Sequence, residues 1–291
     1  MIKRLDIRDI KEIIYYIYDN LDCSIYLLQG IVWERSRGFV GIRDGSKYYG
    51  YYKKSELKAL LLFTANGTFF PIIEDSDILK KLDFLKLIKE NNPSIIKGDK
   101  KSLDGIWKVI QRVVSDYDLK KCTLMKYDVL KGKTLGASQK LSVEKKIIIK
   151  KNSLEIINNI DINNSINFLL EVEKAFDRNP LSINKLKLRV NNKNEFDDYI
   201  FVGRSGELVG QGIVEFEGPK ISLIGGIYTK PDLRGRGIGK VITTELISRI
   251  SKREQDVYLT VLDENIEAMN LYEKIGFEKI EEYYLMNIKI G

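Results

Sequence analysis

The sequence predicts an α/β protein made of two similar halves. Short runs of β-branched and aromatic residues, separated by Asp-Gly, Asn-Gly and Ser-Gly turn signals, indicate antiparallel strands within residues 38–73 and 199–229. Segments with apolar residues at helical spacing follow each group of strands. The order helix, meander, strand, helix, strand, helix, strand occurs in both halves, which favours a duplication, although α/β domains also share such an order by chance.

The elements of the first half follow from these patterns in chain order. Helical spacing predicts helices over residues 8–20, 76–91 and near 101–115. The predicted strands are FVGIRD, KYYGYY, ALLLFT and TFFPII between residues 38 and 73, a short strand near Ile95–Ile96, and a strand near 121–128.

Residues 131–154 are predicted to be a basic linker or connecting strand. The stretch KGKTLGASQK is small, polar and basic, and it lacks a periodic apolar face. The chain is therefore divided into a first domain at residues 1–130 and a second at residues 155–291.

The second domain alternates strands and helices. A helix near residues 166–176 is followed by strand-like segments. The remaining predicted elements are strands at 199–204, 208–216 and 221–229, a helix at 237–250, a strand at 257–261, a helix at 266–275 and a final strand YYLMNIKI.

Composition limits the class of protein. The length of 291 residues corresponds to about two domains, and 44% hydrophobic with 31% charged residues is typical of a globular protein. No apolar run reaches the roughly 20 residues of a membrane span, and the first residues do not resemble a secretory signal. Two cysteines are too few for a disulfide framework. We therefore expect a cytoplasmic protein without a membrane partner.

The absence of histidine excludes several kinds of site. It removes every Ser-His-Asp and Cys-His mechanism and every metal site that contains histidine. Zinc would also need more than two distant cysteines, and no carboxylate motif for Mg²⁺ or Ca²⁺ is present. We expect no metal, and acid–base chemistry would use Asp, Glu, Tyr, Lys, Cys or water.

Positive charge is concentrated in the first half of the chain. The net charge is +7, and residues 101–150 alone contain 12 basic and 5 acidic residues. Such a stretch could bind nucleic acid or another acidic partner. No aromatic or glycine motif for nucleic-acid binding accompanies the lysines, so a solvated connector is favoured and no nucleic-acid partner is expected.

The most specific motif is a glycine-rich turn between a predicted strand and a predicted helix. Glycines let a backbone approach a phosphate closely, and the start of a helix adds unpaired N–H groups and a positive dipole end. The pattern departs from the P-loop and Rossmann spacings, because Arg234 and Val241 stand where a P-loop needs Gly and Ser or Thr. The candidate phosphate-binding residues are Arg234, Gly235, Arg236, Gly237, Ile238, Gly239 and Lys240.

A second motif follows in the segment DENIEAMNLYEKIGF, residues 263–277. Asn265 is a suitable helix N-cap, and Gly276 ends the helix. Tyr272 lies one to two turns inside, where its hydroxyl can point back toward the helix start. The alternative is that Tyr272 and Phe277 are core aromatic residues, which is the commoner role of such side chains.

Together the two motifs resemble the GCN5-related N-acetyltransferase (GNAT) superfamily. IYTKPDLRGRGIGK and N-x-x-A-x-x-L-Y-x-x-x-G-F carry the resemblance, which covers roughly residues 155–291. The whole layout resembles tandem GNAT proteins of the FR47-like type with a degenerate first repeat. The resemblance implies two GNAT-like domains, each a twisted, mostly antiparallel, splayed sheet flanked by helices. It also implies that acetyl-CoA lies in the gap where two strands of the sheet diverge, with Gly225 and Gly226 at the bulge that opens this gap.

The resemblance also implies roles for single residues. The backbone around Ile227, Tyr228 and Thr229 would bind the pantetheine, and the amides of residues 234–240 would bind the pyrophosphate. Asn265 would contact the cofactor from the other side. Tyr272 would hydrogen-bond or protonate the departing sulfur, for which a neutral phenol is a suitable donor.

The implied activity is acetyl transfer to a primary amine by direct attack in a ternary complex. A backbone N–H of strand 221–229 would polarise the thioester carbonyl. The acceptor is a small-molecule or peptide amine that the sequence does not identify. The strand ISLIGGIYT carries no carboxylate to act as a base, so Glu215 or Glu217 on the neighbouring strand is the candidate, acting through water.

The first repeat lacks the corresponding loop. At the equivalent point it reads TFFPIIEDSDILKKL, and Glu74, Asp75 and Asp77 would repel a pyrophosphate. We expect residues 1–130 not to bind CoA. The alternative for the whole protein is a non-catalytic CoA-sensing or partner-binding module, and a monomer or a homodimer is expected.

Overall fold

The computed structural model describes residues 1–34, 36–134, 136–157, 160–176 and 199–290. The chain forms two compact units. The first contains Met1–Met125, Thr260–Ile266 and Lys279–Gly291, and the second contains Lys126–Leu259 and Glu267–Glu278. Within the described ranges, no helix has the length and apolar character needed to cross a membrane.

The first unit contains a mixed sheet with helices. Its strands lie in the order β1-β4-β5-β6-β7-β14-β8, and β2 and β3 form a separate hairpin. The elements that form it are β1 (Ile2–Leu5), α1 (Ile10–Asp19), α2 (Leu21–Ser24), β2 (Ile31–Glu34), β3 (Gly38–Ile42), β4 (Lys47–Lys53), β5 (Glu56–Phe63), β6 (Thr68–Ile73), α3 (Leu82–Asn91), β7 (Ile95–Asp99), α4 (Lys100–Ile110), most of β8 (Val114–Tyr127) and most of β14 (Glu278–Ile290).

In the first unit an acidic turn follows β6 at the point where the second half has its glycine loop. Strands β6 and β7 are parallel and pair only at Thr68 and Phe69 of β6. Beyond that point the Ile73 N–H donates to Ser102 Oγ of α4 over 3.1 Å. The acidic turn after β6 has its own cation, because Lys53 Nζ lies 2.7 Å from both Asp75 and Asp77. The lack of a pyrophosphate site in this half stays a prediction.

The second unit contains the elements that carry both sequence motifs. Its strands lie in the order β13-β12-β11-β10-β9, antiparallel except for the β12–β13 pair. The elements are α5 (Val129–Thr134), α6 (Ala137–Asn152), β9 (Leu154–Ile157), α7 (Ile162–Ala175), β10 (Ile200–Arg204), β11 (Glu207–Glu217), β12 (Ile221–Thr229), α8 (Ile238–Ser251), β13 (Asp256–Leu262) and α9 (Ile266–Ile275).

Helix α8 packs closely on this sheet because β11 presents glycines to it. A Cβ at Gly212 would overlap Ile242, and a Cβ at Gly210 would lie 2.9 Å from the Ile242 side chain. Ile238, at the start of α8, is 2% exposed and packs over Gly210. The buried side chain of Ile238 therefore anchors the end of the glycine loop to the sheet.

The structure corrects two expectations about organisation. Residues 131–154 are helical along most of their length, as α5 and α6, instead of a linker or connecting strand. The compact units also depart from the division at residues 130 and 155, because β14 pairs with β7 from Tyr283 opposite Asp99 to Asn287 opposite Ile95. The predicted fold class, mixed α/β sheets flanked by helices, is confirmed.

Candidate active site

Residues 234–240 form an open loop between β12 and α8. Gly235 and Gly237 have φ angles of 74° and 83°, and Gly237 is the N-cap of α8. Only glycine adopts such angles without strain. In the part of the chain that the structure describes, no backbone N–H of residues 235–240 donates to a protein acceptor. Successive unpaired N–H groups at the start of a helix are typical of an anion site.

The cationic side chains of the loop differ in how available they are. Lys240 Nζ lies 2.5 Å from Glu144 Oε2 of α6, and this cation holds the pKa of the Glu144 carboxyl below its usual value. Arg234 Nε donates to Thr229 O over 3.4 Å. Arg236 is exposed and its side chain makes no hydrogen bond or ion pair with any described residue. Of the three predicted cations, Lys240 is therefore already neutralised.

Helix α6 lies against the loop, which the sequence motifs did not indicate. Asn152 Nδ2 donates to Arg236 O over 3.2 Å. A Cβ at Gly237 would lie 3.2 Å from the side chain of Ile148. Glu144, Ile148 and Asn152 thus form the face of α6 that contacts the loop. Neither sequence motif includes this face, because it combines a charged, an aliphatic and an amide side chain.

Strand β12 leaves its partner β13 after three residues. Their parallel pairing ends at Leu223 opposite Tyr258, so residues 224–229 have no strand partner on this side among the described elements. On the other side, the register with β11 shifts opposite Gly226 and Ile227. Gly226 has a φ of 57°. The predicted bulge is therefore present at Gly226, but its second residue is Ile227, because Gly225 pairs in register with Ile213.

Glu215 lies at a second register shift, between Val214 and Phe216 of β11. Its half-buried carboxylate lies over the bulge, since a Cβ at Gly225 would overlap Glu215 Oε1. Within the described ranges it makes no ion pair or hydrogen bond. Glu217 differs, because Arg253 Nη1 lies 2.5 Å from it. The geometry therefore favours Glu215 over Glu217 as the group that can accept a proton.

The side chain of Tyr228 is buried and packs within the second unit. Its side chain is 4% exposed, its ring packs on Phe168 at 5.9 Å, and its hydroxyl donates to Glu171 of α7. Burial and the Glu171 carboxylate raise the pKa of Tyr228 well above its usual value. The role expected of Tyr228 in binding pantetheine can therefore involve only its backbone. Ile227 and Thr229, on either side of it, are partly exposed.

Tyr272 lies in the second turn of α9 and is 7% exposed. Burial raises the pKa of its hydroxyl to about 12. The hydroxyl makes no hydrogen bond in the described parts of the chain. The end of α9 fixes its position, since Phe277 N–H donates to Tyr272 O over 3.0 Å and the two rings lie 5.7 Å apart. Tyr272 thus carries a protonated hydroxyl that has no hydrogen-bond partner among the described residues.

The helix that carries Tyr272 contacts the start of α8. A Cβ at Gly239 would lie 3.2 Å from Leu271 Cδ2. The structure thus brings the glycine loop and the Tyr272 helix together within the second unit. Asn265 is exposed just before α9, donates its N–H to Leu262 O over 2.9 Å, and clusters with the first unit. No group of three or more Asp, Glu and Cys residues suited to a metal ion occurs among the described residues.

The fold of the whole chain is that of GNAT proteins. A Drosophila protein of known crystal structure matches 99% of this chain and 98% of its own length, with a TM-score of 0.68 and 13% identity. A GCN5-related N-acetyltransferase from Sphaerobacter thermophilus matches 100% of this chain and 96% of its own, with a TM-score of 0.59 and 13% identity. A GNAT-family acetyltransferase from Colwellia psychrerythraea matches 99% and 100%, with a TM-score of 0.50 and 14% identity.

A family model matches part of the second half of the chain. Residues 201–286 match the model of the FR47-like protein family. This match agrees with the resemblance read from the two sequence motifs, and the fold of the chain is similar to that of proteins described as GNAT acetyltransferases. No curated protein sequence matches the chain.

Proposed function

We propose that this protein transfers an acetyl group from acetyl-CoA to a primary amine. The observation that carries the proposal is the run of unpaired N–H groups at residues 235–240, beside the open edge of β12. A pyrophosphate is an anion that such a run of N–H groups binds well. The edge of β12 that does not pair with a strand, at Ile227 and Thr229, would hold the amide-containing pantetheine arm, although the Thr229 carbonyl also accepts from Arg234.

The residues present fit acetyl-CoA as a co-substrate, and bound acetyl-CoA would supply the acetyl group as a reactive thioester. Glu215 Oε1 would accept a proton from the ammonium form of the acceptor, directly or through one water. The Tyr272 hydroxyl keeps its proton, because burial raises its pKa to about 12, and it would donate that proton to the leaving sulfur. A backbone N–H of the β12 edge would stabilise negative charge on the carbonyl oxygen.

The first experiment is a calorimetric titration of the intact chain with acetyl-CoA. We expect micromolar binding with one site per chain, because the first unit lacks the loop. Absence of binding would overturn the proposal, and two sites per chain would overturn the exclusion of the first unit. Binding without thiol release across a panel of small-molecule and peptide amines would favour a non-catalytic CoA-sensing module instead.

Replacing Glu215 by Gln should slow turnover at neutral pH by about 100-fold, in the range of a lost general base. The loss should shrink as the pH approaches about 10, because a free amine then no longer needs a base. Thiol release measured against pH checks this result, and the affinity for acetyl-CoA should not change.

Glu217→Gln is the matched control, because it alters the same residue type two positions further along β11. It removes the ion pair with Arg253 and should lower stability without this pH-dependent loss of turnover. Equal effects of the two variants would remove Glu215 from the role of base.

A further inference from the structure

Helix α6 contacts the glycine loop at its backbone as well as at its side chains. Asn152, in the last turn of α6, donates one N–H of its amide to Ile148 O over 3.0 Å and another to Arg236 O over 3.2 Å. Residues 137–152 precede the region that matches the FR47-like family, residues 201–286. The contact with Asn152 is thus a feature of this chain that the matched region does not include.

The bond to Arg236 O orients the next amide. Arg236 C=O and Gly237 N–H belong to one planar peptide unit, in which the two groups point in opposite directions when the bond is trans. A carbonyl held toward α6 therefore directs the Gly237 N–H away from α6. Gly237 has few steric limits on rotation at φ = 83° because it lacks a Cβ, so an external bond is needed to hold this peptide plane in one orientation.

The amides matter more at this site because one cation is already engaged. Lys240 is paired with Glu144 of the same helix α6, which offsets its charge. An anion at the loop would then depend mainly on backbone N–H groups and on Arg236. Preorganised donors bind an anion more tightly because the cost of ordering them has been met on folding.

We propose that Asn152 is a positioning residue that orients the Gly237 N–H toward the pyrophosphate of acetyl-CoA. The inference rests on the proposed function, because it deepens the assignment of the same loop. The side chain of Asn152 acts through the Arg236–Gly237 peptide and does not itself touch the ligand. The pyrophosphate site then extends beyond the motif to a helix more than eighty residues earlier in the chain.

The test compares Asn152→Leu and Asn152→Ala with the unaltered chain in calorimetric titrations with acetyl-CoA. Leu has nearly the shape of Asn but no donor, and neither variant adds a charge. We expect a dissociation constant about 5- to 10-fold higher in both variants, as one hydrogen bond contributes. The number of sites and the melting temperature should stay close to those of the unaltered chain. With an accepted amine, KM for acetyl-CoA should rise while kcat stays the same.

Asn91→Leu is the control for loss of an Asn at a helix end. Asn91 closes α3 and donates to Leu87 O over 2.9 Å, as Asn152 does to Ile148, but it belongs to the first unit. It should leave the affinity for acetyl-CoA unchanged. Equal affinity of the Asn152 variants and the unaltered chain would overturn the inference. A fall in site number or melting temperature in place of weaker binding would overturn it too. No binding by the unaltered chain would instead overturn the proposed function.

Discussion

Replacing Gly237 by Val should abolish detectable binding of acetyl-CoA. A β-branched residue is a steric outlier at a φ of 83°, and its Cβ would lie 3.2 Å from Ile148. The peptide planes on either side would have to rotate, which misdirects the N–H groups of the loop. Loss of two hydrogen bonds to a charged ligand, each about 1.5–3 kcal/mol, weakens binding by about 100-fold or more. Calorimetry with acetyl-CoA measures the effect.

Gly206→Val provides a control with the same backbone strain. Gly206 also has a φ of 83°, and a Cβ there would meet no other atom within 4 Å. It lies in the turn between β10 and β11, away from the loop. The expected stability loss is about 1–3 kcal/mol for each variant, but only Gly237→Val should lose the ligand. If Gly237→Val retains the affinity of the unaltered chain, the loop is not the pyrophosphate site.

Replacing Tyr272 by Phe should lower turnover by about 100-fold or more while acetyl-CoA binds with unchanged affinity. The hydroxyl has no hydrogen-bond partner among the residues that the structure describes, so its removal breaks no contact of the fold. A lost proton donor typically costs about 100- to 10,000-fold. Because the pKa of Tyr272 is raised to about 12, the hydroxyl is protonated from neutral pH to about pH 10. The loss should therefore be the same across that range, in contrast to the loss expected for Glu215→Gln.

Tyr127→Phe is the matched control for this substitution. Tyr127 is 2% exposed and its ring lies 5.7 Å from Phe277, the same ring that contacts Tyr272. Loss of its hydroxyl should leave turnover unchanged. The initial rate of thiol release, measured with one accepted amine, distinguishes the variants. Unchanged turnover in Tyr272→Phe would remove that residue from the role of proton donor.

The parts of the site that the sequence predicted depend on local geometry. Gly235 and Gly237 are recognisable because a left-handed backbone needs glycine whatever surrounds it. The bulge at Gly226 follows the same rule. Tyr272 was predicted because its distance from the start and the end of one helix is set by the spacing of α9.

The prediction that failed concerns a segment whose packing face is charged. The sequence predicts a linker here because the segment that forms α6 lacks apolar residues at a helical period. Its contact face toward α8 instead combines Leu141 and Ile148 with two ion pairs, Lys145–Glu245 and Glu144–Lys240. A pattern of apolar residues cannot reveal a helix whose contacts are partly ion pairs with a second helix, because those side chains are charged.

The sequence alone predicts the resemblance to GNAT proteins, the mixed α/β class, the glycine loop and the helix that carries Tyr272, because turns, caps and helical spacing are short-range properties. The tertiary structure was needed to show that Glu215 lies over Gly225 with no partner among the described residues, that Glu217 is paired with Arg253, and that Asn152 contacts the loop from a helix far earlier in the chain. It also decided that β14 belongs to the first unit. These outcomes depend on strand register and on contacts between distant segments, which form only when the chain is folded.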